Sequence, residues 1–440
     1  MEYCFAEINL SNYAQNLAQI KAYLPHSTKI MAVIKANAYG HGIVEIAKKA
    51  VECGIYALGV ARIDEALIVR EALPSARIVI LGYTPEIALD SAIANDIEIC
   101  VFHREIAESI SQKARTQGKI AHIHIKLDTG MGRIGFLCYE QNSSLGMQFR
   151  TCEKFWESAD FSPALSQNFS QIQKPHRNPK DLRAKRSNQY FDFDSQSESA
   201  TNQMQSAEST PDSAISEILA ISKLENIKIS GIFTHFSSAD EADLGYTQMQ
   251  MERYIRVIEG LKAHGISDFI RHSANSAGIF NHPQSVFDMV RVGIASFCGG
   301  EFASLKLKPV MSFKARVVHI KTLPKGSAVS YGRTFITQKE SKIATLCVGY
   351  ADGYSRALSN RAEVLICGKR AKVVGNVCMD QLCVDVSGIE NVEIGAVATL
   401  FGVDEFGGEI SANELAGKIG TINYEILCAV SARVERIYIE

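Results

Sequence analysis

The stretch Ile30–Ala61, IMAVIKANAYGHGIVEIAKKAVECGIYALGVA, contains a strand, a helix and a second strand in succession. Its apolar, β-branched start, Ile30–Ile34, predicts a buried strand, and Ala57–Ala61 predicts another. Between them, Val44–Cys53 has apolar residues at three- and four-residue spacing, which is typical of an amphipathic helix. Such strand–helix–strand units build folds with a parallel sheet.

The same alternation continues to about residue 300. Helical spacing recurs at Glu105–Thr116 and Tyr246–His264. Eight apolar runs are predicted strands: Ile30–Ile34, Ala57–Ala61, Arg77–Leu81, Ile97–Phe102, Ala121–Leu127, Ile229–Thr234, Phe269–His272 and Asp288–Val292. Eight strand–helix repeats are typical of a (β/α)8 TIM-type barrel, so we expect an α/β fold in which residues 1–300 form this barrel.

A second, mainly β domain is expected over residues 301–440, because helical spacing largely disappears after Lys308. The predicted strands are joined by turns that contain glycine. They are Met311–Ile320, Lys342–Val348, Glu363–Ile366, Lys372–Val374, Leu382–Val386 and Ala396–Phe401. Phe5–Asn9 also alternates, and we expect residues 1–9 to pair with the β domain.

Residues 139–213 interrupt the barrel between its fifth and sixth predicted strands. Ser, Gln, Asn and charged residues dominate this segment. Because it offers little apolar surface to offset the entropy of ordering, a mobile insertion is predicted. It is interpreted as a tolerated surface loop, with an arm that docks a partner or contacts RNA as the alternative, since Lys174–Arg186 is locally basic.

We expect a cytoplasmic protein without a metal site. The net charge is −2, and no apolar run approaches the length of a membrane-spanning helix, so neither nucleic acid nor a membrane is expected as a partner. Eleven scattered cysteines without a C-x-x-C pair indicate neither a disulfide framework nor a zinc site. His122 and His124 alternate along a strand with no acidic or Cys neighbour in sequence, so no metal is expected there.

Lys35 ends the first predicted strand, where the ligand-handling loops of such barrels begin. Burial disfavours the charged form of a lysine and leaves a free amine that is able to form a Schiff base. Taken alone, Lys35 fits a lysine that points to solvent equally well. Arg133 follows the fifth strand after a turn that contains two glycines, His235 follows the sixth, and Arg291 lies in the eighth.

The loops after the seventh and eighth strands frequently bind phosphate in this fold. Here they provide the Ser276 hydroxyl and backbone N–H groups around Gly293 and Ile294. Each histidine nearby fits a hydrogen-bonded core residue equally well. Together, however, Lys35, a phosphate cradle and cationic groups around one barrel mouth predict a site for pyridoxal 5′-phosphate.

Nine segments of this chain resemble, in order, the motifs of bacterial alanine racemases. The first, AVIKANAYGHG, is similar to the cofactor-attachment signature of that family. The similarity covers nearly the whole chain except the insertion. The segments are Ala32–Gly42, Lys126–Gly135, Thr234–Phe236, Asn275–Ser276, Arg291–Ala295, Val329–Gly332, Val348–Gly353, Val377–Gln381 and Ile422–Glu425.

The resemblance implies racemisation of alanine by two bases, with D-alanine supplied for peptidoglycan. Lys35 corresponds to the lysine that carries pyridoxal 5′-phosphate and to one base. Tyr331 corresponds to the second base, contributed by the other subunit of a homodimer. Inversion requires proton removal on one face and delivery on the other, which a lysine and a tyrosine on opposite faces provide.

The other site residues are also assigned by resemblance. Phosphate contacts correspond to Tyr39, Ser276, Gly293, Ile294 and Tyr424, and Asn275 and His235 complete the cofactor-binding set. Arg291 corresponds to the contact of the pyridine nitrogen, Arg133 and the Met379 backbone to contacts of the substrate carboxylate, and Lys126 to a lysine that is often carbamylated. Asp380 lies beside Met379, and Tyr350 corresponds to a residue of the substrate access channel.

Three departures from the family pattern concern substrate range and access. They are the insertion, the pair Phe297-Cys298 in place of a common Tyr-Gly pair, and Asn376 in place of a basic residue. Three alternatives remain: a single-barrel cofactor carrier, which would lack the β domain; a decarboxylase of the same architecture; and a racemase that also accepts serine or larger amino acids. A decarboxylase is not expected to carry the motifs around Tyr331 and Met379.

Overall fold

The computed structural model describes residues 3–139, 211–302 and 304–440. The prediction for the insertion, including its basic cluster, therefore lies outside the described residues except at its edges. At the later edge a helix already begins at Pro211. Residues 1–139 and 210–440 form one compact unit.

The barrel part of the chain alternates strands and helices as predicted. The strands are β1 (Cys4–Asn9), β2 (Lys29–Val33), β3 (Ala57–Val60), β4 (Ile78–Ile80), β5 (Ile99–Val101), β6 (Ala121–Asp128), β7 (Phe136–Leu137), β8 (Ile227–Phe233), β9 (Ile270–His272) and β10 (Met289–Val292). The helices are α1 (Leu10–Tyr23), α2 (Lys35–Tyr39), α3 (Ile43–Glu52), α4 (Ile63–Ala72), α5 (Glu86–Ala94), α6 (Arg104–Thr116), α7 (Pro211–Ile221), α8 (Gly245–Ala263) and α9 (Ser276–Asn281).

Eight parallel strands close into a barrel, which confirms the predicted fold class. They form two four-stranded groups, β10-β2-β3-β4 and β5-β6-β8-β9. Glu98 joins the groups on one side, where its N–H donates to Ile78 O and its carbonyl accepts from Ile80 N, each at 2.9 Å. On the other side, Arg291 N donates to Ala274 O at 3.0 Å. The carboxyl ends of all eight strands therefore meet at one mouth.

A nine-stranded sheet forms the second domain, in the order β21-β20-β17-β18-β19-β16-β13-β1-β22. Strand β1 pairs antiparallel with β13, where Phe5 opposes Lys314, and parallel with β22, where Phe5 opposes Glu435. The remaining strands are β11 (Cys298–Phe302), β12 (Leu305–Pro309), β13 (Met311–Leu323), β14 (Ala328–Val329), β15 (Phe335–Ile336), β16 (Ser341–Leu346), β17 (Glu363–Ile366), β18 (Lys369–Val373), β19 (Leu382–Asp385), β20 (Val397–Val403), β21 (Glu409–Ile410) and β22 (Glu435–Ile439).

Two short helices in the second domain were not predicted, α10 (Ala412–Ile419) and α11 (Asn423–Cys428). The signal for α10 is Ser411, whose hydroxyl caps the helix by accepting from Glu414 N at 3.1 Å. Helix α11 packs against α2 at the barrel mouth. The β domain therefore contacts the loop that follows Lys35.

Within the described ranges, no helix is both long enough and apolar enough to cross a membrane.

Candidate active site

Lys35 opens an unusual turn. The four residues that follow it, Ala36, Asn37, Ala38 and Tyr39, all have φ between 53° and 54°, so the backbone makes a left-handed helical turn without glycine. Each such residue costs roughly 1–2 kcal/mol relative to a right-handed turn. The turn therefore depends on the contacts around it.

Side chains and carbonyls hold this turn in place. The Glu65 carboxylate accepts from Ala36 N at 2.6 Å and from Ala61 N at 2.8 Å, which ties the turn to the next barrel strand. Asn37 Oδ1 accepts from Ile43 N at 2.9 Å. Because these bonds satisfy backbone donors that a regular helix would leave unpaired, they stabilise the turn and fix where Lys35 emerges.

Lys35 lies among cationic side chains at the barrel mouth. Burial lowers the pKa of Lys35, and the Arg133 charge lowers it further. Burial likewise lowers the pKa of Lys126 to about 8, with the charges of Arg133, Arg291 and Lys35 acting in the same direction. The mouth can therefore hold a neutral, nucleophilic amine beside groups that attract anions.

A cradle for an anion lies where β9 and β10 end. Ser276 Oγ accepts from Gly293 N at 3.0 Å and from Ala295 N at 3.4 Å. A side chain at position 293 would collide with the Tyr39 hydroxyl, so glycine lets that hydroxyl reach the cradle. The Tyr424 ring lies 5.8 Å from the Tyr39 ring. The loop thus gathers hydroxyl and N–H groups that suit a phosphate.

Asn275 supports this cradle through its side chain, which caps the helix that begins with Ser276. Its Oδ1 accepts from Gly278 N at 2.8 Å and caps α9. The capped helix begins with Ser276, and the Ile294 N–H donates to no residue in the part of the chain that the structure describes. Asn275 therefore orients Ser276, and the Ile294 N–H remains available to a ligand.

Arg291 is 3% exposed and is held by three carbonyls. It donates to the carbonyls of His272, Thr234 and Ser273 at 2.6, 2.8 and 2.9 Å. Its Nη2 also lies 3.3 Å from His235 Nδ1. Its Nε donates to no described residue, so one directed donor is left for a ligand. Burial lowers the pKa of Arg291 to about 10, which keeps it protonated at neutral pH.

His235 lies beside Arg291 as a neutral ring. Burial lowers its pKa well below the usual range, and the charges of Arg291 and Lys126 add to the effect. A neutral imidazole accepts at one nitrogen and donates at the other. Because Nδ1 faces the guanidinium, Nε2–H is the donor that His235 can offer to another group.

The loop that carries Arg133 wraps around one carboxylate. Asp128 accepts from the N–H groups of Gly130, Gly132 and Arg133 at 2.9, 3.1 and 3.1 Å. Gly132 has a φ of 66°, a left-handed conformation that favours glycine. This wrapping brings the Arg133 charge close enough to influence the pKa of both Lys35 and Lys126.

Tyr331, Tyr350 and Met379 form a second group on the β domain. Their exposed fractions are 74, 43 and 54%. Asn376 Nδ2 donates to Tyr331 O at 2.8 Å, and Tyr350 N donates to Cys378 O at 3.0 Å, so the loops are joined. No hydrogen bond, ion pair or ring contact among the described residues links Tyr331 to Lys35.

Arg433 fixes the loops of this second group. It forms ion pairs with Asp352 at 2.8 Å and with Asp380 at 2.7 Å. Asp352 in turn accepts from Gly349 N at 2.8 Å. The backbone around Tyr350 and the side chain of Asp380 are therefore held by one guanidinium.

The departures Phe297 and Cys298 lie behind the anion cradle. The buried Phe297 ring packs 5.2, 5.1 and 4.6 Å from the rings of Tyr13, Tyr39 and His41. Cys298 Sγ accepts from Asn423 Nδ2 at 3.1 Å. Both residues therefore support Tyr39 and α11 rather than the open side of the mouth.

One buried histidine has a neighbour that its position in the sequence does not reveal. His124 was expected to have no acidic neighbour, but its Nε2 lies 2.7 Å from Glu98 Oε2. The expectation was wrong because the two side chains come from adjacent strands, which sequence separation does not reveal. Among the described residues, no group of three or more His, Cys, Asp or Glu side chains is placed to hold a metal ion.

Two family models match this chain. One, described as the alanine racemase N-terminal domain, matches residues 8–156 and 209–300, and the other, described as the alanine racemase C-terminal domain, matches residues 310–438. The second match distinguishes the chain from single-barrel cofactor carriers. Both structural parts of the chain are therefore covered.

Individual relatives match over nearly the full length. The chain is 39% identical to the alanine racemase of Methanococcus maripaludis over 99% of this chain and 98% of that protein, and 37% identical to that of Clostridium novyi over 99 and 95%. The structure of alanine racemase from Clostridium difficile 630 superposes with a TM-score of 0.79 at 33% identity, covering 100% of this chain and 96% of that one. For the enzyme from E. faecalis the TM-score is 0.77 at 29% identity, covering 99 and 98%.

The full-length relatives thus match the barrel, the lysine loop at its mouth and the second domain together. This chain is a member of the alanine racemase family.

Proposed function

We propose that this protein interconverts L- and D-alanine with pyridoxal 5′-phosphate as its cofactor. The observation that carries the proposal is Lys35, a partly buried amine of lowered pKa at the mouth of a barrel that matches this family throughout. Lys35 and Tyr331 are proposed as the two bases. The D-alanine is proposed to serve peptidoglycan synthesis in the cytoplasm.

The donor set at the mouth fits this cofactor. Ser276, the Ile294 N–H and the hydroxyls of Tyr39 and Tyr424 would hold the phosphate, and Lys35 would bind the aldehyde covalently. When bound, pyridoxal 5′-phosphate withdraws electrons from the α-carbon of an attached amino acid and acidifies its α-proton. The side chains described above then decide where that proton goes.

Arg291 would donate through Nε to the pyridine nitrogen. Its other donors are held by carbonyls and His235, so the direction of Nε is fixed. An arginine stays protonated and donates a hydrogen bond without transferring a full proton. Arg291 would thereby make the bound ring a weaker electron acceptor than a carboxylate partner would, which would limit side reactions such as transamination.

Tyr331 would serve a neighbouring subunit. An exposed tyrosine whose backbone is tied down by Asn376 suits a role across an interface better than a role within its own chain. We therefore propose a homodimer in which Tyr331 of one subunit faces Lys35 of the other. Met379 and Tyr350, on the adjoining loops, would contact the substrate carboxylate and line the access channel.

Lys126 is proposed to become a carbamate. Its amine is buried, its pKa is lowered to about 8, and the charges that surround it are those of Arg133, Arg291 and Lys35. The ammonium group loses one proton, and the neutral amine then adds to CO2 and releases a second proton, so that a cation becomes an anion. That anion would accept hydrogen bonds from Arg133 and orient it toward the substrate carboxylate.

The carbamate predicts a change in intact mass. After incubation with bicarbonate, native mass spectrometry is expected to show one added CO2 per chain, and the modified fraction should rise as the pH passes through about 8, because only the neutral amine reacts. Lys126→Ala should bind none. An unmodified wild-type protein under these conditions would contradict the proposal for Lys126 and leave the racemase assignment untouched.

The racemase activity itself is tested by proton exchange. Purified protein, pyridoxal 5′-phosphate and L-alanine are incubated in heavy water. We expect deuterium at the α-carbon together with D-alanine, because each inversion passes through loss of the α-proton. Exchange without D-alanine, or formation of a decarboxylated amine, would refute a racemase. L-serine in a parallel reaction tests the broader substrate range, since an apolar pocket discriminates weakly against one added hydroxyl.

A further inference from the structure

A chain of buried side chains runs through the barrel interior to Arg291. Glu98 Oε2 lies 2.7 Å from His124 Nε2, and His124 Nδ1 lies 2.9 Å from His272 Nε2. His272 Nδ1 then lies 3.3 Å from Arg291 Nη1. Both histidines are fully buried, and Glu98 is nearly so. We call these four residues the Glu98 relay.

The two ends of the relay fix which group donates and which accepts in each of its hydrogen bonds. An ionised carboxylate only accepts hydrogen bonds, and a guanidinium only donates them. His272 must therefore accept at Nδ1 and donate from Nε2, and His124 must accept at Nδ1 and donate from Nε2. Both rings are then neutral, with the proton on Nε2.

Every other protonation pattern leaves two donors facing each other. If His124 carried both protons, its Nδ1–H would force His272 to accept at Nε2. His272 would then present Nδ1–H to Arg291. A protonated Glu98 that donated to His124 would lead to the same conflict. An unpaired buried donor costs the desolvation of that group, so the first pattern is preferred.

Glu98, at the end of the relay away from Arg291, is an ionised carboxylate. Burial raises the pKa of Glu98, but the hydrogen bonds from His124 and Arg77 outweigh it and lower the pKa to about 2. Arg77 Nη2 donates to Glu98 Oε2 at 2.9 Å from the outer side. Burial also lowers the pKa of His272 well below its usual range. An ionised Glu98 and a neutral His272 are the states that the direction set by the geometry requires.

We infer that Glu98 is a positioning residue of the active site, which acts through His124 and His272 to hold the Arg291 guanidinium in one orientation. The inference rests on the proposed function, in which Arg291 Nε meets the cofactor ring. With one Nη of Arg291 tied to the relay and the other to Thr234 and Ser273, Nε keeps a single direction.

The first test does not depend on activity. Long-range 1H–15N correlation spectra of histidine-labelled protein distinguish the two neutral tautomers from the cation. We expect His124 and His272 to be neutral with the proton on Nε2, with and without cofactor. A cationic ring, or a proton on His272 Nδ1, would overturn the inference whether or not the protein racemises alanine.

The second test uses substitutions on and off the relay. Glu98→Gln removes the charge, and His124→Gln cuts the relay while leaving Glu98 paired with Arg77. We expect either variant to lower kcat at least about tenfold, the ratio represented by one hydrogen bond to a charged group. KM for alanine should change less, and the absorption spectrum of the bound cofactor should shift, because Arg291 meets the ring and not the alanine.

Glu7→Gln is the matched control. It breaks the partly buried ion pair with Lys314, 3.0 Å long, which has no link to the relay. We expect its kcat and cofactor spectrum to equal those of the wild type even if its melting temperature falls. Relay variants that lose stability but keep the wild-type kcat and spectrum per folded molecule would show that Glu98 is merely structural and would overturn the inference.

Discussion

Replacing Lys35 by alanine is expected to abolish racemisation, with a loss of at least about 10⁴-fold in kcat. The change removes the amine that binds the cofactor covalently and one of the two bases, and positioned proton transfer alone contributes 10²–10⁴-fold. The measurement is D-alanine formation from L-alanine at saturating cofactor, together with the absorbance of the purified protein, which should lack a covalently bound cofactor.

Lys35→Arg keeps the positive charge of the side chain and removes its nucleophilic amine. Arginine keeps the cation among Arg133 and Arg291 but forms no covalent bond with the aldehyde, so this variant should be as inactive as Lys35→Ala. Lys48→Ala removes a largely exposed lysine paired with Glu45. It controls for expression and purification and should retain full activity. Activity of Lys35→Ala within tenfold of the wild type would exclude Lys35 as the essential amine.

Tyr331→Phe is expected to lower racemisation by about 10²–10⁴-fold in both directions while affecting proton exchange on only one face. Phenylalanine keeps the ring but removes the hydroxyl that takes or gives a proton. Exchange of the α-proton in heavy water should therefore be lost for L-alanine and retained for D-alanine, whose proton faces Lys35. The two rates are measured separately by mass spectrometry.

Tyr23→Phe serves as the control, because Tyr23 is partly exposed and ends α1, ahead of β2 and away from the carboxyl ends of the strands. Equal loss of exchange from both enantiomers in Tyr331→Phe would point to damaged binding instead of a missing base. Co-expression of Lys35→Ala with Tyr331→Phe tests the shared site: hybrid dimers carry one intact site, so about a quarter of the wild-type activity should return. Inactive hybrids would refute the shared site.

The barrel could be predicted because its strands are short apolar runs with their own local signal. Each of the eight runs, from Ile30–Ile34 to Asp288–Val292, became a parallel strand within a few residues of its predicted bounds. The meeting of Ser276 with Gly293 followed from the fold, since the loops after β9 and β10 meet at the mouth, and the phosphate site there stays a prediction. The apolar runs in the sequence and the known arrangement of loops in a barrel were together sufficient to predict these features.

Three features could not be predicted because no local signal encodes them. The left-handed turn after Lys35 contains no glycine from Ala36 to Tyr39, and its contacts come from distant residues such as Glu65. The pairing of Glu98 with His124 depends on strand neighbours. The exposure of Tyr331 depends on how its loop is tied to Asn376.

The turn that follows Lys35 also contacts residues that are far later in the sequence. Gly40 sits against the Leu427 carbonyl, and its own carbonyl accepts from Arg436 Nε at 3.1 Å across 396 positions of sequence. Because a ribosome delivers the chain from its amino end, a nascent protein that has finished its barrel still lacks this support. A chain that ends before Leu427 and Arg436 therefore lacks both contacts to the turn that carries Lys35.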